Sequence, residues 1–132
     1  MIIKFGNLYD YNKSYFINSE DIKKKIIERS RELKNFGVIK KKNIIISHGN
    51  SINFFIDLLS IWKNGGCAVC IDNTLSSNEI KNIIRQTSSK ILLFEKKERK
   101  YDELKKSINL VQVKKKYLKK NLQKPEIHIN FK

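Results

Sequence analysis

The spacing of apolar side chains along the chain switches between two periods. Ile2 to Leu8 and Ser14 to Ile17 predict two short strands around a polar turn, Tyr9 to Lys13, as a hairpin. A helix should follow. Ser19 is a candidate N-cap, and Glu20 and Asp21 place negative charge in the first turn. Ile22, Ile26, Leu33 and Phe36 fall near one helical face, and Gly37 stands where a left-handed C-terminal cap is expected. The cations from Lys23 to Arg31 are expected in solvent.

Asn43 to Ser47 is a continuous β-branched run, which suits a strand buried on both faces of a parallel sheet. His48-Gly49-Asn50 reads as a turn and Ser51 as the cap of a second helix. That helix carries Phe55, Leu58, Leu59 and Trp62 at i, i+3, i+4 and i+7, a stripe expected to face the core. Asn64-Gly65-Gly66 ends it. Cys67 to Ile71 reads as a second buried strand. Ser76 and Glu79 form a capping box that opens a third helix with Ile80, Ile83 and Ile84 inward. Lys90 to Phe94 reads as a third buried strand, Tyr101 to Ile108 as a short helix, and Leu110 to Val113 as a fourth strand. Lys114 to Lys124 is expected to be a lysine-rich loop, and Glu126 to Lys132 a tail.

This alternation predicts βαβ units. The expected fold is a three-layer α/β domain: a small, mostly parallel sheet with helices on both faces and an N-terminal β-hairpin. Residues 1–95 would form the main unit and 96–132 a lysine-rich extension of the same domain.

Length and composition agree with one globular domain: 132 residues, 40% hydrophobic and 31% charged. No apolar run approaches a membrane span. The first residues lack a signal-peptide pattern, which points to the cytoplasm. Two cysteines build no disulfide framework.

Charge changes the picture more. The chain has 28 Lys+Arg against 13 Asp+Glu, a net +15. Such an excess raises nucleic acid or an acidic membrane surface as partners. Lysine supplies 24 of the 28 cations, and Lys, Ile and Asn, the residues of A- and T-rich codons, are abundant throughout. A compositional origin and a selected polyanion site are therefore both open. Arginine, the favoured residue for bidentate phosphate contacts, is scarce, so nucleic-acid binding is expected to be weak and non-specific, and no membrane partner is expected.

Candidate chemistry is thin. Cys67-Ala68-Val69-Cys70 has C-x-x-C spacing, but residues three apart on a strand point to opposite faces, so two buried strand cysteines are expected. His48 follows a buried strand, at the sheet edge where α/β folds bind ligands; it either lines a pocket there or belongs to a tight turn. His128 lies in the tail without a nameable partner. Asp72 follows a strand and reads as a turn former. The glycines, at positions 6, 37, 49, 65 and 66, form no phosphate-binding loop.

The order of segments carries more. Tyr15 to Ile22 resembles the "L-T-Y-x-E-L" opening of the adenylate-forming (AMP-binding) superfamily, which includes acyl-CoA synthetases and nonribosomal adenylation domains. Leu33 to Val38 with Lys41 to Ile46 is similar to "L-x-x-x-G-V-x-x-G-D-x-V-x-I". Asn50 to Gly66 is similar to "N-S-x-E-F-x-x-A-x-L-A-x-x-K-A-G". Ala68 to Leu75 resembles "Y-V-P-L-D-P-x-x", with Cys70 and Asn73 in place of the two prolines, and Lys90 to Leu93 resembles the "A-K-x-L-x" strand. Lys42 stands where the family has Gly or Asp. The likeness spans residues 13–95, about two thirds of the chain.

The resemblance implies an N-terminal scaffold fragment of an AMP-forming acid–thiol ligase. The complete enzyme would use ATP, Mg and CoA or a carrier-protein thiol. The family's phosphate loop should begin shortly after Phe131. No catalytic, cofactor-binding or metal residue is therefore expected in this chain, and the expected partner is the downstream part of the ligase. A basic nucleic-acid-binding module and a non-catalytic interaction domain are the alternatives.

Overall fold

A computed structural model describes residues 6–10 and 15–113. The hairpin pairs β1 (Leu8–Asp10) with β2 (Tyr15–Ile17), antiparallel, with Leu8 opposite Ile17 and Tyr9 opposite Phe16. Tyr9 and Asp10, read from the sequence as turn residues, are thus ladder residues. The expected strand start at Ile2 lies outside the described residues.

Helix α1 (Ser19–Asn35) is capped one residue earlier than expected. Asn18 Oδ1 accepts from the Asp21 N–H at 2.9 Å. Its other end closes as the glycine pattern implies. Gly37 adopts φ 98°, the Gly37 N–H donates to the Lys34 carbonyl, and the Val38 N–H donates to the Leu33 carbonyl. This Schellman arrangement brings fully buried Val38 onto Leu33, so Val38 takes the apolar contact expected of Phe36, which stays in solvent.

Four strands form the main sheet: β3 (Asn43–Ser47), β4 (Cys67–Cys70), β5 (Ile91–Phe94) and β6 (Asn109–Gln112). All pairings are parallel and the order is β4-β3-β5-β6. β3 and β5 are central and buried on both faces, as their unbroken apolar runs require. β4 is not. Among the described residues it has a neighbour on one side only, and both Cys67 and Cys70 are exposed free thiols. The sequence places a strand there correctly but reads an edge strand as a buried one. The two thiols still belong to opposite faces: Ala68 packs against one core cluster and Val69 against the other.

Helices α1 and α2 (Ile52–Lys63) cover one face, where Leu33, Val38 and Ile61 meet Ile44, Ile46, Ile91, Leu93 and Val111. Helices α3 (Ser77–Thr87) and α4 (Arg99–Asp102) cover the other. There Ile80, Ile84, Tyr101, Leu104 and Ile108 pack on Ile45, Leu92 and Phe94. The capping box of α3 is present as predicted. The expected helix from Tyr101 to Ile108 is shorter, one turn followed by hydrogen-bonded turns up to Ile108. A third cluster, Ile17, Ile22, Ile26, Ile52 and Ile56, seats the hairpin on α1 and α2. The architecture is the three-layer α/β fold with an N-terminal hairpin. Residues 114–132, with the expected lysine-rich loop, His128 and the tail, lie outside the described set.

Two expected core positions are not core. Phe55 is 44% exposed and Trp62 51% exposed. The face that α2 buries is Ile52, Asn53, Ile56, Asp57, Ser60 and Ile61. Likewise Arg29, expected in solvent with its lysine neighbours, is buried on α1.

Candidate functional site

Chain reversals concentrate chemistry at the edge of the sheet where β3, β4 and β5 end. From β3 the chain runs through His48 to Ser51 into α2 and then β4, on one side of β3. β5 lies on the other side and hands over to α4 on the opposite face. This is a topological switch point, the place where α/β sheets leave a crevice.

Three polar links close it. Ser51 caps α2, accepting from the Phe54 N–H at 3.3 Å, while its hydroxyl hydrogen-bonds the Glu95 carboxylate that follows β5. Ser47, the last residue of β3, shares a 2.8 Å hydrogen bond with the Tyr101 hydroxyl. Burial pushes the Tyr101 phenol up from its ordinary value, the Ser47 bond opposing this. Its ring stacks on Phe94, with centroids 4.4 Å apart. Lys100 reaches back to the loop after β4 and donates to the carbonyls of Asn73 and Leu75. In that loop Asp72 accepts from the Thr74 N–H and hydroxyl, both at 2.8 Å. Those bonds hold its carboxyl below the usual range, so Asp72 is the turn former that the sequence indicates. At Gly49 a Cβ would stand 3.2 Å from Asn73 Nδ2, so the loops after β3 and β4 nearly touch.

Beneath this edge lies a buried ionic hub. Arg29 Nε donates to Asp57 Oδ1 at 2.6 Å and Nη2 to Oδ2 at 3.3 Å, joining α1 to α2. His48 Nε2 lies 2.7 Å from Asp57 Oδ2, and Glu32 sits 3.2 Å from Arg29 Nη1. Burial would raise the Asp57 pKa. The His48 hydrogen bond and the Arg29 guanidinium outweigh it and hold the carboxyl below its ordinary value. His48 is thus neither a pocket wall nor a simple turn residue. It is a buried strut whose ring has no solvent access.

The Asn53 Nδ2, also buried, has no hydrogen-bond partner among the described residues. It borders a water-sized crevice with Arg29, Ile56 and Val113. Among the described residues no group of three or more His, Cys, Asp or Glu is placed to hold a metal. Sequence reasoning missed Arg29, Asp57 and Tyr101. One signal for Asp57 was available: it is the only acid between Leu33 and Ile71, in a mostly apolar helix.

The arrangement orients loops and holds charges in place. It contains no Gly-rich loop to wrap a triphosphate. A four-stranded parallel sheet with a hairpin ahead of it and a braced switch point defines an α/β scaffold, and comparison with known proteins gives its class. The model of the AMP-binding enzyme family matches residues 21–129, and the chain belongs to that family.

Solved structures agree in fold. The o-succinylbenzoate CoA synthetase of Bacillus subtilis, in complex with its acyl-adenylate intermediate, superposes with TM-score 0.69 at 16% identity, over 78% of this chain and 26% of that one. A fatty acyl CoA synthetase of Mycobacterium tuberculosis gives 0.71 at 15%, over 77% and 22%. The N-terminal subdomain of Klebsiella oxytoca NpsA gives 0.64 at 14%, over 74% and 24%. The chain thus spans about a quarter of the length of these structures. No curated protein matches it by sequence.

Proposed function

We propose that these residues are the N-terminal scaffold of an AMP-forming acid–thiol ligase. In the complete enzyme a carboxylate would be activated with ATP and Mg as an acyl-adenylate and passed to CoA or a carrier-protein thiol. The reading is carried by one observation: the family match runs from α1 through the whole parallel sheet. Residues 96–132 are read as an extension of the domain formed by residues 1–95, a reading supported by the pairing of β6 with β5. No residue here is assigned to catalysis, cofactor or metal binding. The partner is the part of the ligase that carries the phosphate loop, and the compartment is the cytoplasm, where ATP and CoA are at hand.

Adenylation needs donors fixed around a phosphate as charge moves, and this chain supplies no such loop. ATP–pyrophosphate exchange by the purified chain should stay at the heat-killed background with any carboxylic acid. Hydrogen exchange on β3 and β5 should slow when a downstream polypeptide starting at the phosphate loop is added. Exchange activity from the chain alone would overturn the scaffold assignment, and unchanged protection would overturn the partner assignment.

A further inference from the structure

The opposite end of the sheet carries a different surface. β3 and β4 start there, with Asn43 paired to Cys67. The C-terminal ends of α1 and α2 reach the same end, and their loops are tied together. The Lys41 N–H donates to the Gly65 carbonyl at 3.0 Å and the Cys67 N–H to the Lys42 carbonyl at 2.8 Å. Three large apolar side chains stand in solvent here: Phe36 at 44%, Ile39 at 46% and Trp62 at 51% exposure. Exposed apolar residues are ordinary one at a time, and Ile27 and Phe55 are others on α1 and α2; these three belong to the segments that close this end of the sheet.

Cations share that end. Lys40, Lys41, Lys42 and Lys63 are all exposed. Between Leu33 and Ile71 the sole acid is Asp57, which is buried against Arg29, so no carboxylate of this stretch reaches the surface. The sheet's other edge is where Asp72, Glu79, Glu95 and Glu98 stand, next to the ends of β4 and β5 and the starts of α3 and α4. The stretch from Leu33 to Ile71 thus presents lysines without surface carboxylates, whereas at the other edge Lys96, Lys97 and Arg99 stand among the acids.

We propose that the end formed by Phe36, Ile39, Trp62 and the four lysines docks on an anionic lipid surface. The apolar side chains would enter the headgroup region, where Trp is favoured, and the lysines would stay on the phosphates with their stems along the interface. Charge complementarity selects an anionic partner. The apolar trio selects one with an apolar interior to receive it. The same stretch has no arginine, the residue best suited to nucleic-acid phosphates and bases. No helix among the described residues is long and apolar enough to cross a membrane, so the contact is with the surface. This inference does not depend on the ligase reading.

Trp62 is the only tryptophan, so its emission reports on the surface directly. The full chain is titrated with phosphatidylcholine vesicles and with vesicles that also contain phosphatidylglycerol. Only the second should shift Trp62 emission to the blue, with quenching by brominated acyl chains and release by salt. The variant Lys40→Glu/Lys42→Glu should lower affinity in co-sedimentation by about tenfold or more. Lys96→Glu/Lys97→Glu, beyond β5 at the other edge, should change it less than about twofold. Thermal unfolding verifies that each variant is folded. Absence of binding, binding that leaves Trp62 emission unmoved, or equal loss in both variants would overturn the proposal. A Trp62 response to mixed-sequence duplex DNA but not to vesicles would also overturn it, and would assign the surface to nucleic acid.

Discussion

Helices α3 and α2 cover opposite faces of one sheet and are built on opposite plans. On α3 the apolar residues point in: Ile80 and Ile84 are buried, and Asn78, Asn82 and Arg85 are in solvent. On α2 the buried arc holds Asn53, Asp57 and Ser60 beside its isoleucines, and the aromatic residues Phe55 and Trp62 face out. The cause is the neighbourhood. Among the described residues α3 packs on the sheet and the short α4 region. α2 is wedged between the sheet and α1, where Asp57 and Asn64 find partners on α1. Asp57 meets Arg29, and the Ser60 hydroxyl is satisfied within α2 by the Ile56 carbonyl at 2.6 Å. Asn64, at its C-cap, donates to the Ser30 carbonyl at 2.8 Å. An arc that pairs its buried acid can outcompete an aromatic one for the interior, because an unpaired buried acid is far more costly than an exposed ring.

The sharpest way to break this contrast is Asp57→Ala. It takes the carboxylate between Arg29 and His48 out of the interior and should cost about 3–5 kcal/mol in urea unfolding. The double variant Arg29→Met/Asp57→Leu, which removes the charges together, should recover most of that loss. If it does not, the hub contributes more than charge compensation. The pH dependence follows from the lowered Asp57 pKa. The unfolded carboxyl titrates near 3.8 and the folded one below it, so near pH 4 the unfolded state binds more protons. The stabilisation is therefore complete well above pH 3.8 and fades as pH falls through and below that value. In Asp57→Asn this acid-dependent part should vanish.

On α3 the expected losses are those of ordinary packing and capping. Ile80→Ala removes a fully buried side chain and should cost about 2–5 kcal/mol. Ser76→Ala opens the capping box and should cost about 1 kcal/mol. An Asp57→Ala cost below that of Ser76→Ala would erase the distinction between the two helices.

Most of the fold was legible in the sequence because local chemistry dictates it. β-branched runs mark β3 and β5, the Ser76–Glu79 box starts α3, and Gly37 ends α1. What was not legible depends on neighbours. The run Cys67 to Ile71 looks like any buried strand, and only the sheet order makes β4 an edge. Phe55, Leu58, Leu59 and Trp62 show that α2 is amphipathic without saying which arc meets α1. Arg29 among lysines and Asp57 among apolar residues are 28 positions apart, and their pairing exists only once α1 and α2 lie side by side. At the switch point, His48 and Asp72 were legible as residues at strand ends, whereas the Ser47–Tyr101 and Ser51–Glu95 links join segments that only the parallel register brings together.

The smallest expected effect is the most discriminating for α2. Were the aromatic stripe its core face, Trp62→Ala would leave a large cavity and cost about 3–5 kcal/mol. With Trp62 half in solvent, the change should stay within about 0.5 kcal/mol, as exposed substitutions do. Emission of the free wild-type chain should accordingly lie near that of a water-exposed indole and be quenched readily by iodide. A cost above about 2 kcal/mol with blue-shifted emission would mean that the outer arc of α2 is covered in solution. The ring would then be part of a core, and the contrast between α2 and α3 would disappear.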